Sequence, residues 1–292
     1  MSVAILIWAS WLVLTSSGVT TDLTPVDLAG LRALVPAVVL APMLWRHRQD
    51  ILQFGPSKIL LLSLYGAPFT LCVGYGLSYA PVAHAGAMVP GLMPVVVTVV
   101  GFLALGQRLS APLILSALLI VTGASAIVFR PSDTSSMEEI WIGHTLFLTG
   151  AVFWASFTLT VRRYAISPFL ATALVGAVSA IGLTPIWVLS GLSSLGAASI
   201  TDIAFQVFFQ GVITGLVSLY AFGEALRRLG LVATRLSALT PAVATLLAVP
   251  ILSQVPDRVE VAALGLVVVG LLIASMPMRR ARSQVLHPVP QK

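Results

Sequence analysis

Ten runs of mostly apolar residues follow one another along the chain, at 3–20, 28–45, 59–79, 83–105, 111–129, 141–161, 168–190, 203–222, 231–252 and 260–278. Within each run the apolar positions are continuous rather than alternating. Each run approaches the ~20 residues that a helix rising about 1.5 Å per residue needs to cross roughly 30 Å of hydrocarbon. Spanning strands would read as alternating apolar and polar positions and would have to close into a barrel to satisfy their backbone. The pattern therefore predicts an all-α integral membrane protein with ten transmembrane helices. The first run is long for a signal-peptide core and no Lys or Arg precedes it, so it is expected to remain as a span.

Composition agrees. Apolar residues make up 58% and charged residues 9% of the 292, against about 25% charged in a soluble domain. The mean hydropathy is +1.01. The net charge of +6 sits mostly in the short segments between runs, where it acts as an orientation signal and gives no reason to expect a nucleic-acid partner. With the N-terminal side taken as inside, Arg46, Arg48, Lys58, Arg108, Arg162, Arg163, Arg227, Arg228, Arg279, Arg280, Arg282 and Lys292 are all inside. Arg130 and Arg258 are outside, and Arg32 and Arg235 fall within runs. Twelve of sixteen inside predicts a multi-pass protein of the inner membrane with both termini cytoplasmic.

Cys72 is the single cysteine, which excludes an intramolecular disulfide and a Cys-based metal cluster. There is no Walker A, G-x-G-x-x-G or H-E-x-x-H pattern, so no ATP-driven pump, cofactor or metal is expected. Neither is an enzyme, because no nucleophile elbow accompanies His84 or His144.

The runs repeat. Trp8-Ala9-Ser10-Trp11 returns as Trp154-Ala155-Ser156-Phe157, and Thr24-Pro25 returns as Ser167-Pro168. Leu92-Met93-Pro94 matches Leu239-Thr240-Pro241, Gly76 matches Gly223, Gln107 matches Gln254 and Gly123 matches Gly270, each 147 positions on. Five runs per half is an odd number, so the second half enters the membrane from the opposite face. The expected organisation is a first five-helix repeat over 1–130, an outer linker over 131–140, an inverted second repeat over 141–278 and a cytoplasmic tail over 279–292. Inverted repeats of this kind build secondary transporters, with the substrate held near the midplane where the halves meet.

The order of "IWASWLVL", "LTPVDLAGLRALV", "GLMPVVVTVVGFLALGQRLS" and "LIVTGASAIV", answered by "FWASF", "LSALTPAVATLLAVPIL" and "LGLVVVGLLIAS", resembles the EamA-like branch of the drug/metabolite transporter superfamily over residues 3–278. Members often carry Gly-Glu-Arg-Leu-Ser after the fourth span; here Gly106-Gln107-Arg108-Leu109-Ser110 has Gln in place of Glu, and Ser253-Gln254 lacks the acid as well. The resemblance implies alternating-access export of amino acids or other small metabolites without ATP. The expected partners are a small-molecule substrate and the lipid bilayer, and the chain is read as a monomer. Export of cationic drugs or other metabolites is the alternative, with a non-transporting receptor or assembly component behind it.

Several side chains are candidates for substrate contact. Trp8 and Trp11 lie in the first run and Trp154 lies mid-run in the sixth, beyond the reach of an interfacial belt; all three could offer ring faces to an apolar or cationic body. Glu224 and Arg235 flank the turn near Leu229-Gly230 at equal distance, which suggests an ion pair at one depth, either structural or a gate. His84, Tyr75 and Tyr79 are grouped near the outer face. Arg32 is read as a structural partner of Asp27. Pro94 and Pro241, at equivalent mid-run positions, are hinge candidates.

Overall fold

A computed structural model describes residues 1–18, 23–106, 109–129, 137–230, 232–252 and 257–275. Gln107, Arg108, Gln254, most of the linker and the tail from 276 lie outside the described residues. Helix accounts for nearly everything that is described, with no strand among these residues. In chain order the α-helices are α1 (Ser2–Gly18), α2 (Pro25–Val39), α3 (Ala41–Arg46), α4 (Arg48–Phe54), α5 (Pro56–Ser63), α6 (Ala67–Tyr79), α7 (Val82–Gly86), α8 (Met93–Leu105), α9 (Ala111–Val128), α10 (Met137–Arg163), α11 (Pro168–Leu189), α12 (Ile200–Gln206), α13 (Leu219–Leu229), α14 (Val232–Leu236), α15 (Thr240–Leu252) and α16 (Arg258–Ser275). Wider π turns fill Ala87–Gly91 and Val207–Ser218, and a tight 3₁₀ turn fills Ser237–Leu239.

The described residues of all ten apolar runs are helical apart from short turns. Six helical stretches among the described residues are long and apolar enough to cross a bilayer, or seven if a bent pair counts as one span, against the ten expected. The shortfall has local causes. The first run yields a 17-residue helix, and the second is divided at Leu40 between α2 and α3. Pro36, four residues before Leu40, lies inside α2, and proline weakens the ladder around it. The fourth run is bent by 40° between Val82–Gly91 and Met93–Ala104. The outer surface is apolar, with Leu103, Ile181 and Leu246 all more than two-thirds exposed, as a lipid-facing surface requires.

Pro94 opens a new helix after a bend, whereas Pro241 lies midway along the Val232–Ile251 span. Pro94 is the second residue of α8, after the bend, and Pro241 is the second residue of α15, after the 3₁₀ turn. In a helix's first turn a missing N–H costs nothing. The ring of Pro241 packs beside Gly91, where a Cβ would meet its Cγ at 3.3 Å, so the two breaks face each other.

The matched glycines show how the halves are joined. A Cβ on Gly123 would lie 2.5 Å from the carbonyl oxygen of Ala263 and 2.9 Å from Val267; a Cβ on Gly270 would lie 2.9 Å from both Ile120 and the carbonyl oxygen of Ser116. Ala263, Val267 and Gly270 stand 147 positions after Ser116, Ile120 and Gly123. The α9–α16 contact is therefore reciprocal, each helix offering the same patch to the other, and the helices run antiparallel. Small residues permit such close approach in lipid, where no hydrophobic force drives helices together. Elsewhere, Gly211 and Gly215, four apart in the Val207–Ser218 turns, bring the backbone of that segment onto α2 at Leu31, Arg32 and Val35.

Candidate functional site

The largest hydrophobic cluster draws on both halves of the chain. Trp8 of α1 meets Trp154 of α10 edge to face, with ring centroids 4.6 Å apart, and Phe222 of α13 packs against both. Tyr65, in the break between α5 and α6, stacks on Phe157 and lies beside Phe69 and Trp154. Trp11 stacks on Phe69 and donates its indole N–H to Gln210 Oε1 at 2.9 Å. The three tryptophans expected from the repeat are thus brought together. Trp8 is buried, so its position near the helix end does not place it in an interfacial belt. The indole nitrogens of Trp8 and Trp154 and the Thr158 hydroxyl are buried without hydrogen-bond partners.

Arg32 enters this cluster from α2 and is 7% exposed. Its guanidinium carbon lies 4.9 Å from the centroid of Trp11, 5.7 Å from Phe69 and 6.0 Å from Tyr65. The Tyr65 phenol is its hydrogen-bond partner, while Nη1 has none. The sequence reading gave Arg32 to Asp27, and the structure corrects it. Asp27 accepts from Thr24 and closes the N-terminal cap of α2; its remaining capacity is filled by Trp187 Nε1 at 2.8 Å, Ser193 Oγ at 2.6 Å and Ser194. Asp27 and Arg32 are five residues apart, which turns them onto different faces of the helix; neighbours on one face are three or four apart.

A cavity of about 20 Å³, room for about one water, opens beside Arg32. Its walls are Arg32, Ala33 and Pro36 of α2, Val175, Gly176 and Ser179 of α11, and Tyr65, Gly66 and Gly215. If Pro25 and Pro168, the first residues of α2 and α11, are aligned, Arg32 answers to Val175, Ala33 to Gly176 and Pro36 to Ser179. Equivalent positions from the two halves thus face one cavity, and one of them carries a charge. Ser179 Oγ also accepts the Ala67 N–H at 2.9 Å, tying the start of α6 to α11.

The other expected residues lie elsewhere. Tyr75 packs with Val26, Leu183 and Trp187 in a separate cluster, and Tyr79 is half-buried. His84 is buried and hydrogen-bonded to His144, Nδ1 to Nε2 at 2.9 Å, a pair that links the two halves. Glu224 forms its ion pairs with Arg227 and Arg228 on its own helix, and the charge bearing on Arg235 is that of Arg162. The two residues expected as a pair across the hairpin therefore have different charged neighbours. Among the described residues no group of His, Cys, Asp or Glu could hold a metal ion. Tyr65, Phe69, Phe222 and Gln210 are the parts of the site that the sequence reading did not single out.

Helices of membrane-crossing length, an apolar exterior and a charged, ring-lined interior where two related halves meet define a multi-pass membrane protein of the transporter type. The chain belongs to the EamA-like transporter family, whose model matches it twice, over residues 1–129 and 141–276. The architecture is also similar to that of a solved structure described only as "Crystal structure of protein", with a TM-score of 0.68 and 21% identity over 94% of each chain. At that identity the likeness speaks for the fold alone. No curated protein matches.

Proposed function

We propose that the chain is a secondary active transporter that exports amino acids or related small metabolites across the inner membrane, by alternating access and without ATP. In this reading the ten apolar runs are ten crossings, both termini are cytoplasmic, and residues 1–130 and 141–278 are inverted five-helix repeats. The antiparallel, reciprocal α9–α16 contact supports the inversion. The bend before Pro94 and the 3₁₀ turn before Pro241, which lie close together across the interface, suit hinges between the two access states.

The observation that carries the reading is the ring cluster built from both halves, in which the indole N–H groups of Trp8 and Trp154 are buried without a partner. Buried donors are ordinarily satisfied, and each orphan costs about 1–3 kcal/mol. A transport site that receives its hydrogen-bond acceptors with the substrate accounts for them. Export is tested by mass spectrometry of the medium from cells expressing the wild type, Trp154→Ala or an empty vector. Enrichment of one metabolite by the wild type, reduced in Trp154→Ala, supports export through this cluster. Equal enrichment by both proteins moves the site elsewhere. A wild type present in the membrane with no effect on the medium counts against export.

A further inference from the structure

We propose that Arg32 anchors a carboxylate of the transported molecule, and that the site selects small monocarboxylates or zwitterions whose apolar body lies against the surrounding rings. The proposal rests on the cavity beside Arg32 being the transport site in a closed state, since as it stands it has room for about one water.

A guanidinium has two kinds of surface. Its flat face interacts with aromatic rings, and its in-plane N–H groups hydrogen-bond. Here the rings of Trp11, Phe69 and Tyr65 approach within 4.9–6.0 Å of its central carbon, and the Tyr65 phenol takes one polar contact. Nη1 is buried and has no partner. No carboxylate is paired with Arg32 among the described residues, and Asp27 is committed to Thr24, Trp187, Ser193 and Ser194. A buried charge in this state is costly, and contacts with rings offset only part of the cost. What is missing is an anionic acceptor in the guanidinium plane, which is the geometry a carboxylate offers.

The walls favour the same ligand. Gly66, Ala67 and Thr70 bring the start of α6 to the cavity. Gly66, Gly176 and Gly215 let the walls close in tightly, since a Cβ on them would collide with Ser179, Pro36 and the Arg32 carbonyl. Val175, at the position equivalent to Arg32, supplies no second cation. One arginine suits one carboxylate; a phosphorylated substrate calls for several basic groups, and a cationic one would meet like charge. The rings suit an apolar or aromatic body.

The test uses the full-length protein purified in detergent, as wild type, Arg32→Gln and Arg32→Lys. The probes are L-phenylalanine, 3-phenylpropionate and phenethylamine, which carry respectively both charges, the carboxylate alone and the ammonium alone. Affinity is read from the ligand-dependent shift in melting temperature, and flux is read separately in liposomes. The wild type is expected to bind at least one of the two acids in preference to phenethylamine. Arg32→Gln is expected to lose roughly ten- to hundredfold in affinity for the acid, the scale of a hydrogen bond to a charged group. Arg32→Lys should retain part of it. An Arg32→Gln protein that binds acids as tightly as wild type overturns the proposal. So does a wild type that binds phenethylamine as tightly as the acids, or binds neither acid. If Arg32→Gln does not fold, the wild-type probe series and Arg32→Lys decide. Arg32-dependent binding without flux leaves the anchor in place and removes the transport reading.

Discussion

Two contacts between the halves of this protein differ in kind. At the α9–α16 seam the partners are matched residue for residue, Gly123 against Ala263 and Val267, Gly270 against Ser116 and Ile120. Where α2 meets α11 the backbones are again related, but the side chains diverge: Arg32 is answered by Val175, and Pro36 by Ser179, among the walls of one cavity. The seam uses the repeat as scaffold, with Ser116 and Ile120 answered by the slightly smaller Ala263 and Val267. The cavity uses the repeat only to place positions opposite each other, and then spends the difference on chemistry.

Breaking the seam should have the largest effect. Gly123→Leu and Gly270→Leu each drive side-chain atoms into space where a Cβ alone already lies under 3.0 Å from neighbouring atoms. Each is expected to destabilise the protein by about 3 kcal/mol, and reciprocity requires the two losses to be similar. Thermal unfolding in detergent checks both; a large loss for one and none for the other would break the two-fold account.

At the cavity the sign should reverse. Arg32→Leu removes a buried charge that lacks a full set of partners, and is expected to raise stability by on the order of 1 kcal/mol while abolishing binding of carboxylate probes. A lower melting temperature would mean that Arg32 is a structural element after all.

The smallest effect is expected for Glu224→Gln. Its partners Arg227 and Arg228 are exposed on the same helix, and ion pairs of that kind contribute little. Melting temperature and flux should both match wild type. A loss of flux would restore Glu224 as a gate and divide the site into two regions.

Much of the frame was legible in the residues. The Trp-Ala-Ser signature located Trp8, Trp11 and Trp154, and the structure joins them. The 147-residue offset paired Gly123 with Gly270, which proved to be reciprocal contacts. Two kinds of information were hidden. Helices that are apolar all round do not announce which face turns inward, so Tyr65, Phe69 and Phe222 could not be separated from lipid-facing rings. Partner choice by a charge depends on helical phase. Asp27 looked close enough to Arg32 in sequence, yet the five-residue spacing puts them on different faces, and that spacing could have been used. The four-residue spacing of Gly211 and Gly215 was a further readable sign of close helix packing. Pro241 lies midway along its span as read, but a bend before Pro94 placed that proline at a helix start.

The reciprocal seam carries a consequence for how such a molecule could be assembled. A surface that fits a copy of itself does not need a peptide tether to find its mate. The Gly123 and Gly270 patches, alike but not identical, meet in the manner of a two-fold homodimer's interface. One half produced alone would expose that patch to lipid, and two such halves inserted in opposite senses would present it to each other. Joining them in one chain leaves the contact unchanged, and it frees Arg32 and Val175 to differ, which two identical subunits could never do.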